Sequence, residues 1–270
     1  MSNLRKTLTL SLILALLGSA SIFVYASEKT IPSTMPAGTI LTYDEQLNPT
    51  ITVDEQMQKS RITNVEKDIG SAEDLLAEEA VYQKIKKDAK DNEVVSIPYE
   101  LPAPSEGMIV IYGSDGQINR IYSPETKITP FASVPNEGKA LPYPSRLSPN
   151  TYEYGSYPNV TTITSSHVLG EGRFTVYRAG VGGSGTIGSS GKTLGTGDVA
   201  TKQSVDNAKH NTALSARATD TDVLKTVYKN DIGYMGNSVL DVYFWGWNDP
   251  YFGYMYSDTL SFPGRYYYEY

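Results

Sequence analysis

Seven prolines between Ser123 and Pro158 constrain the fold of this chain more than any other feature of its sequence. Proline has no backbone N–H, so a segment with prolines at this density cannot run through the centre of a sheet. We therefore expect an extended linker at residues 123–160 and a domain boundary near residue 160. The chain has no cysteine, so each domain needs an apolar core in place of disulfide bonds.

The N-terminus has the composition of a secretory signal peptide. Arg5 and Lys6 precede an almost wholly apolar run over residues 8–25, and small residues follow at the positions where a signal peptidase cuts. We predict a signal peptide at residues 1–26 with cleavage after Ala26, and Ala20 is a second candidate. An uncleaved membrane anchor is the alternative, because about eighteen apolar residues approach the length of a membrane span. The prediction is a secreted, extracellular or cell-wall-associated protein with no membrane contact after cleavage.

The charge of the chain excludes one class of partner and limits another. The formal net charge is −7, and removal of residues 1–26 deletes Arg5 and Lys6 and takes it to −9. An acidic chain without a basic patch is a poor binder of nucleic acid. Anionic wall polymers would repel it too, although salt screens this repulsion beyond about 10 Å. The two histidines are too few and too isolated to indicate a metal site, so we expect no metal or other cofactor.

The rest of the chain divides by composition into further segments. Residues 27–70 are polar and interrupted by prolines, which indicates a linker or arm. Residues 71–122 predict a capped helix followed by a β-hairpin with a glycine-containing turn at residues 113–116. Residues 161–270 alternate in hydrophobicity and predict an all-β domain that ends in a strand at residues 266–268. The predicted fold class is therefore mainly β.

Asp231 and Asp241 are the candidate catalytic residues. They lie ten positions apart in a chain whose residues favour acid–base chemistry by carboxylates. A glycosidase needs two carboxylates about 5–5.5 Å apart for retention or about 6.5–9.5 Å apart for inversion, whereas a lytic transglycosylase needs one acid. The structural alternatives are that Asp231 caps a turn before Gly233 and that Asp241 connects two loops. The sequence does not fix the distance between the two carboxylates.

Four aromatic residues are candidate glycan-binding residues: Tyr234, Trp245, Trp247 and Tyr251. A flat aromatic face suits the axial C–H bonds of a sugar ring. The alternative is that aromatics of this kind pack the interior of a barrel that has no disulfide bonds.

The order of motifs over residues 170–245 resembles a double-psi β-barrel domain of the rare lipoprotein A and expansin kind. A loop rich in small residues ends at residues 198–202, and a strand pair crosses a turn within residues 216–228. Residues 230–233 stand where that family has an Asn-Asp-Arg-Gly-like motif. Residues 239–242 stand where it has two apolar residues, an aspartate and another apolar residue. The closing aromatic part resembles secreted proteins of Gram-positive bacteria with the same barrel.

The resemblance implies a six-stranded barrel with a groove that meets polysaccharide, and it assigns roles to the two aspartates. Asp231 matches the aspartate that serves in members that cleave peptidoglycan as lytic transglycosylases. Asp241 matches the aspartate that serves in expansin-like members. Two departures weaken the case for an enzyme, because Ile232 replaces the family's arginine and Lys202 replaces its histidine.

Three functions remain open from the sequence. The first is a secreted wall or matrix protein that binds or remodels polysaccharide, peptidoglycan above all, without cleaving it. The second is a lytic transglycosylase-like enzyme that uses Asp231. The third is a secreted interaction protein or inhibitor that uses the barrel as a scaffold.

Overall fold

The structure is a computed structural model that describes residues 30–54, 70–123, 149–178, 186–206, 208–233, 235–244 and 250–269. These residues contain thirteen strands and one helix, so the chain is mainly β, as the sequence predicts. The predicted signal peptide lies outside them. The strands are β1 Thr39–Tyr43, β2 Pro49–Val53, β3 Val94–Ile97, β4 Ile109–Tyr112, β5 Ile118–Tyr122, β6 Thr151–Tyr154, β7 Asn159–Ile163, β8 His167–Tyr177, β9 Asp198–Lys202, β10 Thr212–Ala218, β11 Leu224–Gly233, β12 Leu240–Tyr243 and β13 Ser261–Glu269. The helix, α1, is Ala72–Asp88.

Six C-terminal strands close into a barrel. Their order is β8, β12, β9, β11, β10 and β13, and β13 pairs with β8 to complete the ring. The pairs β8–β12 and β9–β11 are parallel, whereas the other four pairs are antiparallel. A closed ring leaves no unpaired barrel edge to aggregate. The predicted six-stranded barrel is therefore confirmed, and it is a mixed one.

The barrel interior is mostly apolar because alternate residues of its strands point inward and most of them are hydrophobic. Phe174 and Val176 of β8 belong to the main core cluster, together with Val199 of β9 and Leu240 of β12, and all four are almost inaccessible to solvent. The intervening residues of the same strands face outward. Burial of each large apolar side chain contributes about 1.5–3 kcal/mol, which is how a barrel without disulfide bonds is stabilised.

Strand β8 is long enough to join the barrel to a sheet extension. Its second half pairs with β12, whereas its first half pairs with β7. Beyond β7 follow β6 and then β3, which precedes the proline-rich stretch in sequence. The extension therefore connects residues on both sides of the predicted linker.

A second, four-stranded sheet has the order β2, β1, β4, β5 and its own apolar core. Leu41, Val110 and Tyr112 are its most deeply buried members. The β4–β5 pair is the predicted hairpin. Its turn contains Gly116, which has a positive φ of 75° and packs so closely on Met35 that a Cβ would lie 2.5 Å from the Met35 carbonyl oxygen. Only glycine suits this position.

Helix α1 begins with the predicted capping box. The Ser71 hydroxyl accepts from the Asp74 N–H, and the Asp74 carboxylate accepts from the Ser71 N–H. Ile85 is fully buried, as the apolar spacing predicts, but Glu78 is buried as well. Within the described residues no helix has the length and apolar content needed to span a membrane.

Three stretches differ from the sequence-based expectations. Residues 39–53, predicted as a linker or arm, form the strand pair β1–β2. Within the predicted proline-rich linker, residues 151–154 and 159–163 form β6 and β7. These strands were missed because prolines interrupt both stretches and many of the strand residues are polar. The boundary near residue 160 concerns independent folding and stays a prediction, although many contacts cross it.

Candidate functional site

Asp231 and Asp241 lie on one rung of the barrel, on either side of a small residue. Ala200 of β9 is in register with Asp231 of β11 on one side and with Asp241 of β12 on the other. Residues in register on adjacent strands share a face, and strands lie about 4.8 Å apart. The two aspartates therefore lie on the same, outer face of the barrel wall, one strand on either side of Ala200.

Three hydrogen-bond donors converge on the half-buried carboxylate of Asp231. The Tyr177 hydroxyl donates to one oxygen over 3.0 Å, and the N–H groups of Ser189 and Ile232 donate to the other over 2.9 Å each. The Ser189 loop reaches this position because Gly188 lets it approach β11, where a Cβ would lie 2.4 Å from the Asn230 carbonyl oxygen. Asp231 lies two residues before the end of β11 and thus fastens the Ser189 loop to the barrel.

The carboxylate of Asp241 forms an ion pair with an arginine from outside the barrel. A terminal nitrogen of Arg120, on β5, lies 2.6 and 2.7 Å from the two carboxylate oxygens and also donates to the Val176 carbonyl. The Thr175 hydroxyl donates to Asp241 over 2.9 Å. Both partners of the ion pair are 15% exposed. Burial raises the pKa of Asp241, and the Arg120 charge opposes that rise.

Tyr177 connects the two aspartates. Its hydroxyl bonds Asp231, and its ring lies 5.3 Å below the guanidinium carbon of Arg120, which holds Asp241. The ring packs edge-on against Tyr243. Burial, with the charges of Asp231 and Asp241, raises the pKa of Tyr177, so it stays a neutral donor. We call Asp231, Tyr177, Arg120 and Asp241 the carboxylate site.

Ile232 and Lys202 stand where the family that the sequence resembles has basic residues. In the described contacts neither of them places a basic side chain against Asp231. Ile232 contributes its backbone N–H. Lys202 is buried, donates to the Met235 carbonyl and lies 4.8 Å from the centre of the Tyr154 ring. The cation in the site is Arg120, which the sequence analysis missed. The only sequence signal for Arg120 is that an arginine lies in the short hairpin strand Ile118–Tyr122. Its contact with Asp241 joins residues that are 121 positions apart.

The glycan-binding aromatics divide into one that packs and three that are not described. Tyr251 packs edge-on against Phe244 and Phe252 at the margin of the barrel core, and burial raises its pKa. Tyr234, Trp245 and Trp247 lie outside the described residues.

His210, one of the two histidines, is exposed and close to the carboxylate site. Its Nε2 atom lies 3.1 Å from the Ser189 hydroxyl. Partial burial lowers the pKa of His210, and the nearby Lys229 charge adds to this effect. Among the described residues no three side chains of His, Cys, Asp or Glu are grouped to hold a metal ion.

Comparison with known proteins gives one informative match. The chain is 41% identical over 90 residues to a protein of Bacillus subtilis (strain 168) described as "Uncharacterized protein YdjM". The match covers 33% of this chain and 68% of that protein. No family model and no solved structure matches the chain.

Proposed function

We propose that this chain, which belongs to the same family as the uncharacterised protein YdjM of Bacillus subtilis, is a secreted protein that binds cell-wall polysaccharide without cleaving it. The barrel is of the double-psi kind in this proposal, and peptidoglycan is the preferred polymer. The closed, mixed six-stranded ring is compatible with that topology. The resemblance of residues 170–245 to glycan-engaging barrels supplies the polymer class.

One observation carries the distinction between binding and cleavage, namely that protein groups already occupy both candidate catalytic carboxylates. A general acid must present a proton to the leaving oxygen of the glycosidic bond. Asp231 instead accepts three hydrogen bonds, and Asp241 is held by a guanidinium. Both arrangements serve the architecture of the barrel. The transglycosylase alternative requires Asp231 to lose these contacts when substrate binds.

Charge distinguishes this proposal from electrostatic attachment to the wall. Without residues 1–26 the net charge is −9, and a chain of this charge is repelled by anionic polymer at long range. Added salt screens that repulsion, with a screening length of about 10 Å at 0.1 M. Binding through a shaped site should therefore persist or strengthen as salt rises, whereas a cationic wall binder would be released.

Co-sedimentation tests the proposal. The secreted protein is mixed with purified insoluble peptidoglycan, and with cellulose as a second polymer, at low and physiological salt. We expect saturable pelleting with peptidoglycan that does not fall as salt increases, while an acidic protein of similar net charge stays in solution. Absence of pelleting with both polymers would leave the scaffold alternative, in which the barrel serves a protein partner.

Secretion has its own test. N-terminal sequencing of the protein recovered from culture medium should give Ser27 as the first residue. Recovery of a full-length form in the membrane fraction alone would support the uncleaved anchor.

A further inference from the structure

A cleft of about 360 Å³ opens beside the β4–β5 turn. Asp115 of that turn lies on one side, and Asp220 of the β10–β11 turn lies on another. The half-buried Tyr157 supplies an aromatic wall, the nearly buried Tyr254 borders the cleft, and the start of β13 completes the lining. Its volume falls at the lower end of the range of about 300–1,000 Å³ for small-molecule sites, which suits one sugar unit better than a longer segment.

Asp115 is held in a fixed orientation by a buried cation. Arg173 is 1% exposed, and its Nε atom and one terminal nitrogen lie 2.6 and 2.8 Å from the two Asp115 oxygens. The other terminal nitrogen of Arg173 donates to the carbonyls of Ile118 and Asn237. Asp115 itself is 32% exposed, so its carboxylate faces the cleft as a positioned acceptor.

The second carboxylate of the cleft, that of Asp220, is hydrogen-bonded to the side chain of Tyr254. The Tyr254 hydroxyl donates to Asp220, which is exposed. The Tyr254 ring stacks on Phe262 at a centroid distance of 4.7 Å and an angle of 24°. This stack fixes the ring, because Phe262 belongs to the barrel core. Tyr157 is only half-buried, which leaves part of its surface open to a ligand.

We propose that this cleft binds a neutral pyranose unit of a polysaccharide, an inference that rests on the proposed function and gives it a location. Positioned carboxylates accept hydrogen bonds from sugar hydroxyls, and such charge-assisted bonds are the stronger ones. The apolar face of the ring packs on tyrosine. The cleft is lined by the carboxylates of Asp115 and Asp220 and by one cation, Arg173, so its net charge is negative. It therefore disfavours sugar units that carry phosphate or carboxylate groups.

The experiment compares matched variants in the peptidoglycan co-sedimentation assay. Asp220→Asn removes the charge of a cleft carboxylate, and Tyr157→Ala removes an aromatic wall. Asp222→Asn is the control. Asp222 lies in the same turn as Asp220, but it forms an ion pair with Arg217 and does not line the cleft. Asp222 has a positive φ of 59°, which asparagine also tolerates, so the control should fold normally.

We expect Asp220→Asn and Tyr157→Ala each to raise the apparent Kd about tenfold, the effect of losing one charge-assisted hydrogen bond or ring contact, while Asp222→Asn binds like wild type. Melting curves confirm that each variant is folded, and either cleft variant alone suffices if the other unfolds. Wild-type binding that both cleft variants retain overturns the cleft inference and leaves the proposed function standing. Absence of wild-type binding overturns both.

Discussion

Inside the barrel the strands meet mainly through apolar side chains, whereas the helix and the hairpin meet the outside of the barrel through ion pairs between arginines and carboxylates. Arg173 and Arg120 bind Asp115 and Asp241 across the hairpin contact. Arg217 and Arg265 both bind Glu78 of α1, which is 3% exposed. An apolar contact tolerates small shifts, but a buried ion pair loses much of its stabilisation when one partner moves away. The outer contacts therefore fix where the N-terminal elements sit.

The difference matters for function because the ionic contacts lie beside both candidate sites. Arg120 occupies the carboxylate site, and Arg173 orients Asp115 in the cleft. The N-terminal region thus contributes Arg120 to the carboxylate site, which the sequence places in the barrel alone, and Asp115 to the cleft.

The largest expected effect is that of Arg173→Ala. It removes the buried donor to the Asp115 carboxylate, to the Asn119 side-chain oxygen and to the carbonyls of Ile118 and Asn237, and we expect a loss of about 3–5 kcal/mol in the free energy of unfolding. Urea denaturation measures this. Arg178→Ala is the control, since its pair with Asp258 is about one-third exposed and should cost about 1 kcal/mol or less. Equal losses in the two variants would show that the outer contacts add little.

A double-mutant cycle of Arg120→Ala and Asp241→Asn measures the next contact. We expect a coupling energy of about 2 kcal/mol, within the range for directly contacting buried groups. The exposed pair Lys84–Asp88 on α1 serves as the matched cycle and should give about 0.3–0.5 kcal/mol. A coupling for Arg120 and Asp241 no larger than for the exposed pair would contradict the account.

Two variants of α1 should have smaller effects on the free energy of unfolding. They compare a contact within the helix with the contacts that join the helix to the barrel. Ser71→Ala removes the capping box and should cost about 1 kcal/mol. Glu78→Ala should cost more, because it leaves Arg217 and Arg265 without their shared buried acceptor. Chemical denaturation of both variants gives the comparison, and a larger loss for Ser71→Ala would place the stability of the helix in its cap.

The smallest effect concerns the pH dependence of the barrel interior. Asp206 is fully buried and accepts from the hydroxyls of Tyr266 and Tyr268, and burial raises its pKa above 3.8. The folded state then binds a proton more tightly than the unfolded state, so the contribution of this group to stability is present at low pH and is lost as pH rises through the raised pKa. The melting temperatures of wild type and Asp206→Asn are measured from a pH below the raised pKa of Asp206 to a pH above it. As pH rises, the melting temperature of the variant should increase relative to that of wild type. Parallel curves would contradict the prediction.

The sequence predicted the elements whose signals are local. The capping box at Ser71, the hairpin around Gly116 and the final strand over residues 266–268 each depend on a few neighbouring residues, and all three are present. Strand β2 was missed because all five of its residues are exposed. Its stability comes from pairing with β1, which leaves no hydrophobic alternation to detect.

The motif order singles out Asp231 and Asp241, and the barrel register brings them to one rung. Their assignment as catalytic residues stays a prediction. Arg120 and Tyr177 could not be assigned to the site from the sequence. Their contacts with the two aspartates join segments that are far apart in the chain, and such contacts produce no hydrophobic periodicity in either segment. Glu78 was hidden similarly, since a glutamate on a helix is usually exposed.

The most direct test of the central claim, binding without cleavage, is the release of soluble anhydro-muropeptides from peptidoglycan by wild type and by Asp231→Asn. The account predicts no release by either protein and equal binding by both, with the variant less stable by about 1 kcal/mol because a turn contact is lost. Release by the wild type that the variant abolishes, with binding unchanged, would make Asp231 a catalytic acid and contradict the account.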